Sequence, residues 1–85
     1  MKTTTKKEKE YMGKVASLGC LIHTGTPALV HHLQCMTPRN PYITVPLCPE
    51  CHVGEFSIHK TKQQFLAVHG SELFLLAETI KRLNQ

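Results

Sequence analysis

The sequence predicts a small α+β domain stapled by one structural zinc ion, on three observations. Strand-forming residues gather in two short runs, around Val30 and around Val45, and the flanking segments carry apolar residues at helical spacing. Two knuckles with metal-ligand spacing, Cys20-Leu-Ile-His23 and Cys48-Pro-Glu-Cys51, bracket those runs. The chain has 85 residues, with four cysteines and six histidines among them. A core of that size is marginal, and chains this short commonly need a metal, a disulfide or an oligomer.

The elements follow in order. Residues 1–5 are expected to fray as a basic N-terminal tail, and residues 6–85 to form a single domain. Thr4 or Thr5 can cap a first helix over about residues 5–18. Tyr11, Met12, Val15 and Leu18 share one face of it, Gly13 is a weak point and Gly19 supplies a left-handed stop. Thr24-Gly-Thr-Pro27 is turn chemistry. A short strand is expected over residues 28–33, and a loop over 34–42 on account of Pro38, Asn40 and Pro41. Ile43, Val45 and Leu47 alternate into a second strand, which Pro46 confines to an edge or a strand end because it lacks a ladder donor. Pro49 suits the first turn of a helix that Gly54 interrupts. A further helix is expected from His59 or Lys60 to about Val68, with Phe65, Leu66 and Val68 as its apolar residues, His69 at its end and Gly70 as its stop. Ser71 caps a last helix whose apolar set is Leu73, Leu76, Ala77, Ile80 and Leu83, with Lys81 and Arg82 favourably near its C-terminus.

The formal net charge is +4 with neutral histidines. That balance favours a polyanionic partner, nucleic acid before membrane, although the excess is concentrated between Lys2 and Lys9, in and beside a solvated tail. The opening MKTTTKKEKE has no apolar core of a secretory signal, and the apolar stretches are too short and broken to span a membrane. A cytoplasmic chain is therefore expected. There thiols stay reduced, and clustered cysteine and histidine read as metal ligands rather than disulfides.

Cys20 with His23 and Cys48 with Cys51 are the expected ligands of a tetrahedral structural zinc, since thiolate and imidazole match that ion's softness. Cys35 is the rival for the fourth position, and His23 is preferred because it shares a knuckle with Cys20. Four protein ligands leave no open position, so this zinc serves folding rather than chemistry.

Five histidines remain beyond that site: His31, His32, His52, His59 and His69. A strand carrying His31-His32, a loop, a second strand ending in Leu47-Cys-Pro-Glu-Cys-His52 and then a helix resembles the HNH, or His-Me finger, endonucleases. Over about residues 6–83 the runs Val15-Ala-Ser-Leu-Gly-Cys20, His31-His32-Leu33, Val45-Pro-Leu-Cys-Pro49, Ser57-Ile-His59 and Gly70-Ser-Glu72 resemble the phage Ref-type recombination-enhancement nucleases. The resemblance implies a ββα-metal (HNH) core with flanking helices and a metal-dependent DNA endonuclease. It implies His31 as a metal ligand, His32 as the general base that activates water, His52 as a further ligand and His59 as a candidate third. The family's bracing Asn is expected near position 43, where this chain has Ile43, with Asn40 as the substitute.

Such chemistry suits these residue types. A neutral imidazole can take a proton from water near neutral pH, and a divalent cation offsets charge developing on the phosphate. Mg2+ is the expected ion in a cell, and a His-rich site also suits Mn2+, Ni2+ or Zn2+. Arg39, Lys60 and Lys62 are candidate phosphate-positioning groups. The resemblance further implies DNA as partner, leaves room for a recombinase filament, and suggests a phage or prophage product in a bacterial host, as a monomer or weak dimer with no membrane role. Two rivals stand beside it: a non-catalytic zinc module that binds nucleic acid or protein, and a regulatory phage protein docking through its last helix. Adjacent residues of a regular strand point to opposite faces, so a shared site for His31 and His32 calls for an irregular strand or a wrapped approach.

Overall fold

The computed structural model describes residues 4–33 and 40–85. Among these, the chain forms four helices and a two-stranded antiparallel sheet, an α+β fold. Cys35 and Arg39, and Lys2 of the tail, lie outside the described residues.

Helix α1 (Lys6–Ser17) begins at Thr5, whose hydroxyl accepts from the Glu8 amide at 3.1 Å while the Glu8 carboxylate accepts from the Thr5 amide at 2.8 Å. This reciprocal capping box satisfies two backbone donors that a helix start leaves orphaned. The helix ends where expected, with Gly19 at φ +80 turning the chain into the first knuckle.

Strand β1 (Leu29–His32) pairs with β2 (Thr44–Leu47) in the register Leu29 to Leu47, Val30 to Pro46, His31 to Val45 and His32 to Thr44. The second strand starts one residue later than the alternation suggests, and all four of its residues are buried. Its alternating pattern does not divide inside from outside because α1 and α4 (Glu72–Leu83) both pack against it. Pro46 fits because its strand has one ladder partner, and its free carbonyl accepts from the Leu21 amide at 3.2 Å, which ties the first knuckle to the sheet. Ahead of β2, the Asn40 side chain accepts from the Tyr42 amide at 2.8 Å and the Asn40 carbonyl from the Ile43 amide at 3.0 Å. Asn40 thus holds the turn beside Ile43.

Helix α2 (Pro49–Val53) follows directly from the sheet. Helix α3 (Lys62–His69) starts later than expected, because residues 57–61 close a tight turn instead of helix. The Ser57 hydroxyl accepts from the Lys60 amide at 3.1 Å, and the Thr61 hydroxyl accepts from the Ser57 amide at 3.0 Å. Short hydroxyl side chains compete in this way with helical hydrogen bonding. Within α3, Phe65 is fully buried, Leu66 is partly so, and Val68 faces solvent at 67% exposure, against the expected apolar set. His69 stands at the helix end as expected and packs its ring on Phe65 at 4.6 Å between centroids.

The largest departure is the rotation of α4. Leu73 and Ile80 are exposed, as are Phe74 and Ala77, while the buried side is formed by Glu72, Leu75 and Thr79. Leu76 and Leu83 are half-buried at its margin. Periodicity finds an apolar stripe, but α4 packs on β2 and α1 with Leu75 in the core and Glu72 on the same side, next to His31 and Lys62. Thr79 is accommodated by donating its hydroxyl to the Leu75 carbonyl at 2.9 Å.

The core joins Leu21, Leu33, Val45, Leu47, Ile58, Phe65 and Leu75 with the three cysteines Cys20, Cys48 and Cys51. Phe65→Ala in the zinc-loaded protein is expected to cost about 3–5 kcal/mol, the range for deleting a buried aromatic ring. Urea unfolding checks this, and a loss under about 1 kcal/mol would mean the site collapses around the missing ring. No helix among the described residues is long and apolar enough to cross a membrane.

Candidate metal centres

The first centre is built by two turns. After α1, the Ile22 and His23 amides both point at the Cys20 sulfur, each at 3.4 Å. At the other end, β2 delivers Cys48 and the first turn of α2 delivers Cys51. The ligand atoms of Cys20, His23, Cys48 and Cys51 all lie within 4.8 Å of one another. An ideal tetrahedral zinc site, with Zn–S near 2.3 Å, has sulfur–sulfur edges of about 3.8 Å and nitrogen–sulfur edges of about 3.5 Å. Here Cys20 Sγ and Cys51 Sγ are 3.8 Å apart, and His23 Nδ1 is 3.4 Å from Cys48 Sγ and 3.2 Å from Cys51 Sγ. The edges fit a Cys3His zinc site with His23 supplying the fourth ligand atom among the described residues.

The three sulfurs are buried and His23 closes the site at the surface. Burial raises the Cys20 thiol, but amide donors from His23, Cys48 and Ile22 outweigh it, so its pKa lies below the ordinary value. The Cys51 thiol is pushed up, first by burial and then by the neighbouring sulfurs. Three thiolates crowded in a core repel one another, and a bound dication removes that repulsion.

The second centre is formed by His31, His52 and His59, whose ligand atoms also lie within 4.8 Å of one another. His31 comes from β1 and is 1% exposed, His52 comes from α2, and His59 comes from the turn that follows. Backbone hydrogen bonds set the last two together. The Ile58 amide donates to the Cys51 carbonyl at 2.9 Å, and the His59 amide donates to the His52 carbonyl at 3.3 Å. Their Nε2 atoms face each other at 3.0 Å, and the three rings meet edge to face with centroids 4.6 to 5.2 Å apart. Two nitrogens at that separation, each about 2.1 Å from one ion, subtend roughly a right angle there. The histidines therefore converge in a coordination geometry, with His59 on the exposed side where a further ligand can enter.

Burial, then the neighbouring His59 and His52 charges, lower the His31 pKa from 6.5 to about 4 against the opposing pull of Glu72. His52 is lowered too, by burial first and then by His59. Both are neutral at pH 7 and available as ligands. Between the ordinary value of 6.5 and about 4, the unfolded chain binds more protons at His31 than the folded one. Stability then falls as pH falls through that window. With zinc in the first centre and the second empty, urea midpoints are expected to drop from about pH 7.5 to about pH 5.5, less steeply in His31→Gln. Zinc content followed alongside separates this from loss of the staple.

The structure brings together seven of the residues marked from sequence: Cys20, His23, Cys48 and Cys51 in one centre, and His31, His52 and His59 in the other. His32 is not in either set. It pairs regularly with Thr44 at the end of β1 and is half-buried, so the strand passes His31-His32 without a bulge. Lys60 donates to the Glu55 carboxylate at 2.8 Å on the surface. Lys62 Nζ lies 3.0 Å from the Glu72 Oε1 atom.

Glu72 was not singled out as a site residue from sequence. It is 5% exposed, with Oε2 at 3.6 Å from His31 Nε2. An acidic residue in the first turn of a helix reads as dipole compensation, so its spacing gave no separate signal. No protein-family model, no curated protein and no solved structure matches this chain, so the two centres rest on their own geometry.

Proposed function

We propose that the chain is a metal-dependent DNA endonuclease of the HNH type, with the first centre as its structural zinc and the second as its catalytic metal site. The observation that carries this reading is the convergence of His31, His52 and His59 on one point, from a strand, the following helix and the next turn. A structural site alone needs no second set of ligands with one imidazole at the surface.

The donor set bears on the ion. Three imidazoles suit Mn2+, Ni2+ or Zn2+ better than Mg2+, which takes oxygen ligands and keeps its waters. When bound, a divalent ion there supplies positive charge for a non-bridging phosphate oxygen and for the leaving 3′ oxygen. His31 and His52 are neutral and hold that ion without first losing a proton. On the resemblance, His32 is the base: it takes the proton of the attacking water while the water oxygen bonds to phosphorus and the bond to the 3′ oxygen breaks. A base has to stay off the metal, and His32 lies outside the ligand set. Its ring has to reach round the end of β1 to serve. Lys60, Lys62 and Arg39 remain the proposed phosphate contacts, with Lys60 exchanging its Glu55 partner for phosphate and Lys62 contacting phosphate while it stays on Glu72. The residues from Lys2 to Lys9 add sequence-independent attraction. A phage origin, a cytoplasmic site of action and a recombinase filament as companion belong to the same reading.

Supercoiled plasmid incubated with Mn2+, Ni2+ or Mg2+ tests it. Conversion to open circles is the expected result, one nick per visit for a single site. No cutting of duplex, single-stranded or recombinase-coated DNA with any of these ions would leave a non-catalytic two-metal module that binds nucleic acid or protein.

A further inference from the structure

Glu72 is the one acidic side chain among the buried polar residues described. A glutamate compensating the dipole at the start of α4 could do so from the surface. Burial of a carboxylate is unfavourable without specific partners, so its inward position needs another cause. Two contacts supply one. Its Oε1 atom is held by Lys62 Nζ at 3.0 Å, and its Oε2 atom lies 3.6 Å from His31 Nε2. That nitrogen is buried and has no hydrogen-bond partner. Glu72 falls outside the set of mutually close ligand atoms formed by His31, His52 and His59; with Nε2 turned to Glu72, His31 has Nδ1 left for the ion.

We propose that Glu72 is the positioning residue of the histidine centre. It orients the His31 ring through Nε2 and sets a negative charge next to a dication held by three imidazoles, while Lys62 keeps the carboxylate in place. Carboxylates that hold metal-bound histidines act in this manner: they set the ring's direction and raise its basicity as a ligand. Lys62 is the half-exposed end of the chain Lys62–Glu72–His31, which connects the metal centre to the surface. The inference deepens the metal-site reading and rests on it.

Cobalt titration of the protein with zinc already in the cysteine centre tests this, read by the visible absorption of bound Co2+. The parent is expected to bind Co2+ and to lose that binding in His52→Ala. Glu72→Ala is expected to weaken Co2+ binding about 10- to 100-fold, the usual effect of removing such a partner. Glu72→Gln, which keeps the shape and removes the charge, should weaken it less and shift the absorption band. Should Glu72→Ala fail to fold, Glu72→Gln and Glu72→Asp carry the comparison, with zinc content and thermal midpoint as controls for folding. Parental Co2+ affinity and spectrum in the folded Glu72 variants would overturn the role of Glu72 and leave the metal centre standing. A parent whose Co2+ binding is absent, or indifferent to His52→Ala, would overturn the metal centre and this role together.

Discussion

Cys51→Ser is expected to leave the protein largely unfolded, and a strong chelator is expected to do the same to the parent. The cysteine ligands are members of the core, packed with Leu47, Ile58 and Phe65. A zinc held by this cluster would join the turn after α1 to the junction of β2 and α2, two segments far apart in the chain. In zinc-finger peptides, metal binding contributes an apparent 10–16 kcal/mol or so at neutral pH. The whole net stability of a domain is only about 5–15 kcal/mol, so the staple decides whether this chain folds. Circular dichroism with zinc analysis checks the result. His23→Cys is the control: zinc accepts four thiolates as readily, so that variant should keep its metal and its fold. A Cys51→Ser protein that melts cooperatively with no zinc would refute the staple.

The second large effect separates two neighbouring residues. On the proposed nuclease reading, His31→Ala is expected to lose the second metal and with it all cutting. His32→Ala is expected to keep the metal and still lose about 100- to 10,000-fold in rate, the range for a general base. Metal content and plasmid nicking, measured on both variants with the structural zinc in place, give the comparison. The difference follows from the strand. His31 and His32 are paired in regular register with Val45 and Thr44, so the two rings leave β1 on opposite faces. Full cleavage by His32→Ala would remove it as the base. Retention of the second metal by His31→Ala would remove the histidine centre.

Much of this was legible in the chain. A knuckle is a local object: two ligands separated by two residues in a tight turn, so Cys20 with His23 and Cys48 with Cys51 were readable from spacing. The same holds for a threonine cap on α1, left between Thr4 and Thr5, the stops at Gly19 and Gly70, and the helix start at Ser71, where the partners lie within a few residues. His59 was marked only through a resemblance, because its partner His52 lies across a turn whose closure depends on Ser57 and Thr61.

The sequence by itself determined the local pieces: which segments are helix or strand, where they stop, and which residues are chemically able to bind metal. The tertiary structure decided how those pieces meet. It brought the ligand atoms of Cys20, His23, Cys48 and Cys51 into one cluster and those of His31, His52 and His59 into another, with His32 in neither set. It also rotated α4 so that Glu72, Leu75 and Thr79 face inward in place of the expected leucine stripe. The physical reason is common to these cases. A repeating pattern reports which residues could be buried together along one helix or strand. Which face is buried is set by what waits on the other side, and for α4 that is β2 and α1, elements from elsewhere in the chain.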